Sequence, residues 1–436
     1  MNFEQLGLKP ETVQKLQQQG ITEATLIQEK SIPIIREGKD LIGMSKTGSG
    51  KTLAFGLPLL EKIQPKAGLQ MLVMAPTREL AVQIARELKK YSENHTYITT
   101  IYGGVSLMPQ IDELRRAQIV VGTPGRLLDH LKRRNLDLTK LTSVVLDEAD
   151  KMVEMGFIED ITEIISYTPE FRQMLLFGAT LSSEIDKIKH RYMHQPLVAE
   201  AESQVKEEYL EQYYYNIQQH EKFSLLAHLL RKEKYLRVIV FCSACSTVEM
   251  VSKNLHRQGF KAEALHGRLS QNRRLRIMDD FNDGKIEVLV ASPVAARGLD
   301  VKFVSHVFNY DLSADPQEYI HRIGRTARAG ETGKAITLLS NKDYDVFGQI
   351  LQRYRVKVDE LPIEQFPRLP FDTGRDRNGG FSGRRFGRDQ KDYRRRAPAD
   401  FRPDWKSQGT ERSGFRGNNT SGSSDRSDLG RRSWTR

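Results

Sequence analysis

Residues 43–52 read Gly-Met-Ser-Lys-Thr-Gly-Ser-Gly-Lys-Thr, directly after the apolar pair Leu41-Ile42 and before Leu53-Ala54-Phe55. This run predicts a strand, a glycine-rich turn and the start of a helix. Turns of this kind aim successive backbone N–H groups at a phosphate chain. Gly48, Ser49 and Gly50 then form the cradle, Lys51 reaches the outer phosphates, and the Thr52 hydroxyl is placed for Mg²⁺. Further along, the apolar strand text Val144-Val145-Leu146 ends in Asp147-Glu148-Ala149-Asp150. Here Asp147 is the expected metal-holding carboxylate, and Glu148 the group that takes a proton from water. A glycine-rich turn alone serves many kinds of nucleotide-binding protein. Paired with two carboxylates at a strand end, it points to a nucleotide-driven machine.

The surrounding text is α/β. Apolar runs at Met71–Ala75, Ile98–Ile101, Gln118–Val121, Val144–Leu146 and Met174–Phe177 alternate with helical patterns such as Arg78–Tyr91 and Ile158–Ser166. Short apolar strands separated by helices imply a parallel sheet covered on both faces. In such sheets the ligand groups gather beyond the strands' carboxyl ends, and Lys51, Thr77, Asp147 and Thr180 each follow a run. The charged stretch Glu200–Glu208 breaks this rhythm. A second α/β series follows, near Val238–Phe241, Glu287–Ala291, His306–Asn309 and Ala335–Leu338, with no second glycine-rich turn. The expected organisation is a first domain over residues 1–205, a linker over 206–216, a second domain over 217–368 and a tail over 369–436.

At 436 residues the chain suits two domains plus a tail. It contains no apolar run long enough to span a membrane, and polar Asn2, Glu4 and Gln5 follow Met1 at once, so a cytoplasmic protein without a membrane partner is expected. Cys242 and Cys245 form a lone Cys-x-x-Cys, which suits a redox pair or half a zinc site less well than an ordinary sheet end. The net charge is +11, and residues 371–436 hold 15 Arg and 2 Lys against 8 Asp and 1 Glu, a net +8. That composition cannot build a core and is expected to be disordered. Its arginines, interleaved with Phe381, Phe386, Tyr393, Phe401, Trp405, Phe415 and Trp434, suit phosphate contacts and stacking on unpaired bases.

ATP hydrolysis also needs cations for the charge developing at the γ-phosphate. The stretch His321-Arg-Ile-Gly-Arg-Thr-Ala-Arg328 offers them. Arg325 and Arg328 stand three apart, a spacing that would put both guanidinium groups on one face of a helix.

Taken together these features resemble the DEAD-box RNA helicases of superfamily 2. The matching text is SKTGSGKT at 45–52, Pro76-Thr-Arg-Glu-Leu80, Gly103-Gly104, Thr123-Pro-Gly-Arg126, Asp147–Asp150 and Gly178-Ala-Thr180. In the second half it is Val240-Phe-Cys242, His266-Gly267 with Gln271 and Arg274, Ala296-Arg-Gly-Leu-Asp300, and His321–Arg328. Upstream, Gln28 follows Thr25-Leu26-Ile27, and Phe3 stands 17 residues before Gly20. The resemblance covers about residues 1–365. It implies two tandem RecA-like domains that close on ATP, Mg²⁺ and single-stranded RNA, destabilising short duplexes.

Residue by residue, the resemblance implies that Phe3 and Gln28 read the adenine and that Asp300 touches the ribose. Lys51, Asp147, Glu148, Arg325 and Arg328 carry the hydrolysis, with Thr52 and Asp147 at the metal. Pro76, Thr77, Arg78, Gly104, Thr123 and Arg126 clamp the RNA backbone in the first domain, and Ser243, Gly267 and Ser292 do so in the second. Asp150, Gly178, Thr180 and His321 couple the nucleotide to closure. Contacts of that type read phosphates and 2′-hydroxyls rather than base edges. The resemblance further suggests a monomeric core in a bacterial cytoplasm, with ribosome-assembly or RNA-decay proteins as partners, or a role on cold-stabilised RNA.

Four positions depart from the usual family text. Ala24-Thr25-Leu26 replaces a proline-rich turn, Ser45-Lys46 replaces Ala-Gln, and Gly178 replaces a serine. The fourth is Pro293, where the family has aspartate: it removes a carboxylate and a backbone N–H and restrains Ser292 to extended backbone. Altered coupling of hydrolysis to RNA is expected from it, and an ATP-gated RNA clamp or ribonucleoprotein scaffold with weak unwinding is the alternative to a helicase.

Overall fold

In the computed structural model, residues 1–45, 48–201, 209–296, 301, 303–327, 332–354 and 356–373 are described, and they form two parallel sheets of the same strand order. The first is built from β1 (Leu41–Met44), β2 (Met71–Met74), β3 (Ile98–Ile101), β4 (Ile119–Gly122), β5 (Ser143–Leu146), β6 (Gln173–Gly178) and β7 (Leu197–Glu200), in the order β3-β4-β2-β5-β6-β1-β7. The second comprises β8 (Leu210–Asn216), β9 (Val238–Phe241), β10 (Ala262–Leu265), β11 (Val288–Ala291), β12 (His306–Asn309), β13 (Gly333–Leu339) and β14 (Asp359–Glu360), in the order β10-β11-β9-β12-β13-β8-β14.

Alternate residues of one strand feed two cores, as the two-residue period of a strand requires. Leu72, Val144 and Leu176 face one helical layer, and Val73, Val145 and Phe177 the other. In the second sheet Val238 and Val240 face one layer while Ile239 and Phe241 face the opposite one. Sheets covered on both faces need such unbroken apolar strands. The helices Arg78–Tyr91 and Ile158–Ser166 form over the residues that their periodicity predicts. Cys242 is a buried free thiol of the second core, and Cys245, also free, opens the helix Cys245–Arg257. No helix among the described residues is long and apolar enough to cross a membrane.

Two stretches differ from the sequence expectation. Residues 210–216, read as part of a linker, are the strand β8, whose Tyr213, Tyr214 and Tyr215 pair in register with Ile336, Thr337 and Leu338 of β13. Residues 369–373, read as the beginning of the tail, continue an extended strap over the second sheet's helices. Leu361, Phe366, Leu369 and Phe371 pack on its core, and Phe371 stands 5.0 Å from the Phe223 ring. Asn254 then brackets Asp372, accepting its N–H at 2.9 Å and donating to its carbonyl at 3.0 Å. The apolar anchors outweigh the polar context that suggested a tail. The rest of the arginine-rich tail, from residue 374, lies outside the described residues.

Candidate functional site

The strand order places β5, β6 and β1 side by side, so three segments that are distant in sequence converge at one carboxyl edge. After β1 the chain passes through Gly48 and Gly50, both with left-handed φ (81° and 90°), into the helix Lys51–Leu60. A Cβ on Gly50 would collide with the Gln28 amide, so close approach and backbone both demand glycine there. Ser49 is held by its hydroxyl, 2.8 Å from that of Ser45, and by its carbonyl, which accepts from the Thr25 hydroxyl at 2.7 Å. Lys51, 7% exposed, donates to the Ser45 carbonyl at 3.2 Å, and Thr52 is half-buried in the helix's first turn.

Asp147 and Glu148 follow β5 and are both buried. Glu148 sits in the left-handed region at φ 53°, rare for a non-glycine residue, and its Oε2 has no hydrogen-bond partner among the described residues. Burial pushes the Asp147 carboxyl up to about 7, with the Lys51 charge opposing the rise and the Glu148 charge adding to it. Mg²⁺ takes hard oxygens, usually one or two carboxylates plus substrate phosphates. The Asp147 carboxylate, the Thr52 hydroxyl and an orphaned Glu148 oxygen fit that requirement. No group of three or more His, Cys, Asp or Glu residues suited to a metal occurs among the described residues.

This burial carries a pH dependence. A carboxyl whose folded pKa exceeds its unfolded value contributes stability that is present below the unfolded value and lost as pH rises through the folded one. For Asp147 those values are 3.8 and about 7. Asp147→Asn is therefore expected to gain melting temperature relative to the nucleotide-free parent progressively as pH rises from about 4 to about 7, and to keep that gain above it. Parallel melting curves across that range would show that Asp147 ionises freely.

Asp150 ties this edge to β6. Its Oδ2 accepts the Ala179 N–H at 2.9 Å and the Thr180 N–H at 3.3 Å, while the Gly178 carbonyl accepts the Ser45 N–H at 2.9 Å. The turn after β6 is thus bonded to the segments after both β5 and β1 through backbone groups, without the absent serine hydroxyl. A Cβ at Gly178 would lie 3.3 Å from Asp150 Oδ1.

Several sequence expectations change here. The Phe3 ring is 1% exposed in a cluster with Leu16, Ile32, Leu53 and Leu57, so it anchors the N-terminal helices and has no open face for a base. Gln28 uses its amide inside the protein, accepting the Thr25 N–H at 2.9 Å and donating to the Gly50 carbonyl at 3.1 Å. The helix Pro316–Ile323 ends before Arg325, which is buried in the following turn and so does not stand on a helical face. Gly324, a poor helix former, closes that helix. Arg328 and Asp300 lie outside the described residues. Pro293 opens the short helix Pro293–Ala296, where a first-turn N–H would have no intrahelical partner, so only the carboxylate is forgone.

The other half of the first sheet, β3-β4-β2, carries a second group. Thr77 caps the helix Arg78–Tyr91 by accepting the Leu80 N–H at 3.3 Å, and buried Pro76 precedes it. Gly104, at φ 79°, touches the Arg78 guanidinium so closely that a Cβ would collide with it. Thr123 precedes the helix Pro124–Lys132, and Arg126 in that helix donates to the Val105 carbonyl at 3.1 Å and to Gln110 at 3.2 Å. Gln110 also contacts buried His130 at 3.0 Å and the Tyr102 carbonyl at 3.0 Å; sequence reading missed this brace, which only the strand order brings together. In the second sheet Ser243, Gly267 and Ser292 follow the matching strands β9, β10 and β11. Ser243 and Gly267 are exposed, while Ser292 is buried and its N–H donates to the Leu265 carbonyl at 3.0 Å.

The two sheets meet across a cleft. Gln271 donates to Glu79 at 2.7 Å, and Arg274 reaches the same carboxylate at 3.2 Å, with all three side chains largely buried. On the nucleotide side Lys151 approaches His321 Nδ1 at 3.0 Å, and Gln317 donates to Glu154 at 2.9 Å. His321 therefore meets the residue after Asp150, on the helix Ala149–Glu154 that Glu148 opens.

Comparison with known proteins agrees with this geometry. The chain matches the DEAD/DEAH box helicase family over residues 25–188 and the helicase conserved C-terminal domain over residues 221–330. It is 46% identical to the ATP-dependent RNA helicase CshA of Listeria monocytogenes, over 78% of this chain and 66% of that protein. It is 42% identical to the DEAD-box ATP-dependent RNA helicase CshA of Geobacillus kaustophilus, over 82% of this chain and 78% of that one. A solved structure of S. cerevisiae Dbp5 bound to RNA and ADP BeF3 superposes with a TM-score of 0.74 at 30% identity, over 83% of this chain and 95% of that chain. Two like-ordered sheets, a glycine-rich turn beside paired carboxylates and this degree of identity make one conclusion: the chain belongs to the DEAD-box helicases.

Proposed function

We propose that this chain hydrolyses ATP in response to RNA and uses the resulting opening and closing of its cleft to destabilise short RNA duplexes. The observation that carries the reading is the helix Ala149–Glu154. It begins at Glu148 and ends against the helix Pro316–Ile323 of the second lobe, through Lys151–His321 and Glu154–Gln317. A displacement of one lobe therefore reaches the hydrolytic carboxylate through a single short rigid element.

In this reading Glu148 accepts a proton from the attacking water, Lys51 and the glycine-rich turn hold the phosphates, and buried Arg325 supplies positive charge from the second lobe. Asp147 and Thr52 would hold Mg²⁺, which would supply positive charge to the phosphates. The segments at Pro76–Arg78, Gly104, Thr123 and Arg126, with Ser243, Gly267 and Ser292, form one RNA path because they end matching strands of two like-ordered sheets. Contacts made by backbone N–H groups, hydroxyls and arginines favour phosphate and sugar, so little sequence preference is expected. The basic tail, net +8 over residues 371–436, adds charge that attracts RNA. We place the lobe boundary between Ala201 and Leu210, and assign the protein to the cytoplasm, with ribosome-assembly or RNA-decay proteins as partners.

A second reading, an ATP-gated RNA clamp, draws on Gly178 and Pro293, where the coupling hydroxyl and the family carboxylate are missing. A strand-displacement assay with short RNA and DNA duplexes separates the two. The helicase reading expects RNA strands to be released with ATP and far less with a non-hydrolysable analogue. Tight ATP-dependent RNA binding with no release above the spontaneous rate would favour the clamp, and equal release of DNA would overturn the RNA assignment.

A further inference from the structure

The helices Arg78–Tyr91 and Gln271–Asn282 meet across the cleft at two places, of which the buried Glu79–Gln271–Arg274 cluster is the inner one. At the outer one, Arg86 Nη1 and Nη2 donate to Asp279 Oδ1 and Oδ2 at 2.5 and 3.2 Å. Arg86 lies two helical turns beyond Glu79, on the same face, and Asp279 lies a little over two turns beyond Gln271. The two helices thus advance along the cleft in the same direction, touching at both ends of this span. The outer contact is a fork-to-fork pair of parallel hydrogen bonds, a geometry that arginine makes and lysine cannot.

Its surroundings distinguish it from a structural ion pair. The Arg86 and Asp279 side chains are 57% and 47% exposed, and neither belongs to a core cluster, so neither lobe's own packing depends on them. The Asp279 hydrogen bond raises the Arg86 pKa above its ordinary value, as expected for a charge stabilised by its partner. A contact that exists only when two bodies are together shifts the equilibrium between separate and joined states by its own worth.

We propose that Arg86 and Asp279 form a closure latch that positions the two lobes and lowers the RNA concentration needed to half-saturate ATP turnover. This rests on the reading that turnover follows closure on RNA. The pair acts on the population of the closed form and leaves the chemistry inside it untouched. Its effect therefore belongs to the RNA dependence of the rate, while the rate at saturating RNA stays the same. Because both side chains are open to water, the latch weakens with salt.

The test uses the full-length protein, Arg86→Asp, Asp279→Arg and the double exchange, with RNA-stimulated ATPase measured against RNA concentration. Each single reversal is expected to raise the half-saturating RNA concentration about threefold or more, since it removes an exposed ion pair and adds repulsion. The saturated rate should stay within about twofold, and the double exchange should recover most of the loss by restoring opposite charges. The differences should shrink at about 0.5 M salt, where the screening length is only a few ångströms. Unchanged single variants, or a double exchange no better than the worse single, would overturn the latch. If a reversal lowers the melting temperature, Arg86→Gln and Asp279→Asn carry the same comparison without repulsion. Failure of RNA to stimulate the parent would remove closure on RNA and the latch together. Stimulation of the parent with unaffected variants would remove the latch alone.

Discussion

Glu148→Gln is expected to lower ATP turnover by about 10²–10⁴-fold while ATP and RNA binding stay close to the parent's. The amide keeps the size and shape of the carboxylate, so it fits the left-handed turn at φ 53° and the buried surroundings. What it loses is the ability to accept a proton at the position where Oε2 now stands without a partner. A neutral group at that position also relieves the repulsion felt by Asp147, whose carboxyl the Glu148 charge pushes upward. ATP affinity should therefore be retained or slightly improved, and the RNA complex should persist. Nucleotide titration beside multiple-turnover hydrolysis measures both halves. A variant that turns over at the parent rate would leave Glu148 as a strained structural residue and move the base elsewhere.

Lys51→Ala is expected to weaken ATP binding by about 10- to 150-fold, the worth of a charge-assisted hydrogen bond to phosphate. The lysine is held in the cradle before any ligand arrives, with its ammonium 3.2 Å from the Ser45 carbonyl and its stem buried. Little conformational freedom is then lost when phosphate replaces that carbonyl as a partner. The glycine-rich turn itself should survive the substitution, because Thr25, Gln28 and Ser45 fasten Ser49 and Gly50 independently of Lys51. Unchanged nucleotide affinity with an intact fold would remove the phosphate-loop assignment.

The parts legible in the sequence were those with strong local signals. Buried parallel strands such as Met71–Met74 and Val238–Phe241 are continuous apolar runs, and the helix Arg78–Tyr91 repeats apolar residues at the helical period.

 

Strands whose residues are polar, small or helix-favouring escaped. β10 reads Ala-Glu-Ala-Leu, and β8 is a tyrosine-rich strand directly after a run of charge, so only their neighbours in the sheet reveal them. The site divides in the same way. Lys51, Asp147, Glu148 and Asp150 declared themselves by motif and stand together at one sheet edge. Phe3 was expected to read the adenine with Gln28 because its spacing is visible in the sequence and its burial is not. Gln110, His130, Arg86 and Asp279 gave no signal, since their partners are supplied by strand order or by the opposite lobe.

The like strand order of the two sheets has a consequence for stoichiometry. β8 holds in the second sheet the place that β1 holds in the first, and β12 holds the place of β5. Each is followed by its counterpart: Lys51 opens the helix after β1, and Lys222 opens the helix after β8. Asp147 follows β5, and Tyr310 follows β12. Lys222, however, is fully buried and spends its ammonium on the Tyr310 carbonyl at 2.9 Å and the Asp343 carboxylate at 2.8 Å. A lysine already neutralised within the core cannot turn outward to a phosphate without leaving Asp343 as a buried, unpaired charge. The chain is thus an architectural duplicate in which one copy keeps its lysine for a guest and the other has turned it into a strut, so the described residues offer one lysine cradle for a nucleotide rather than two.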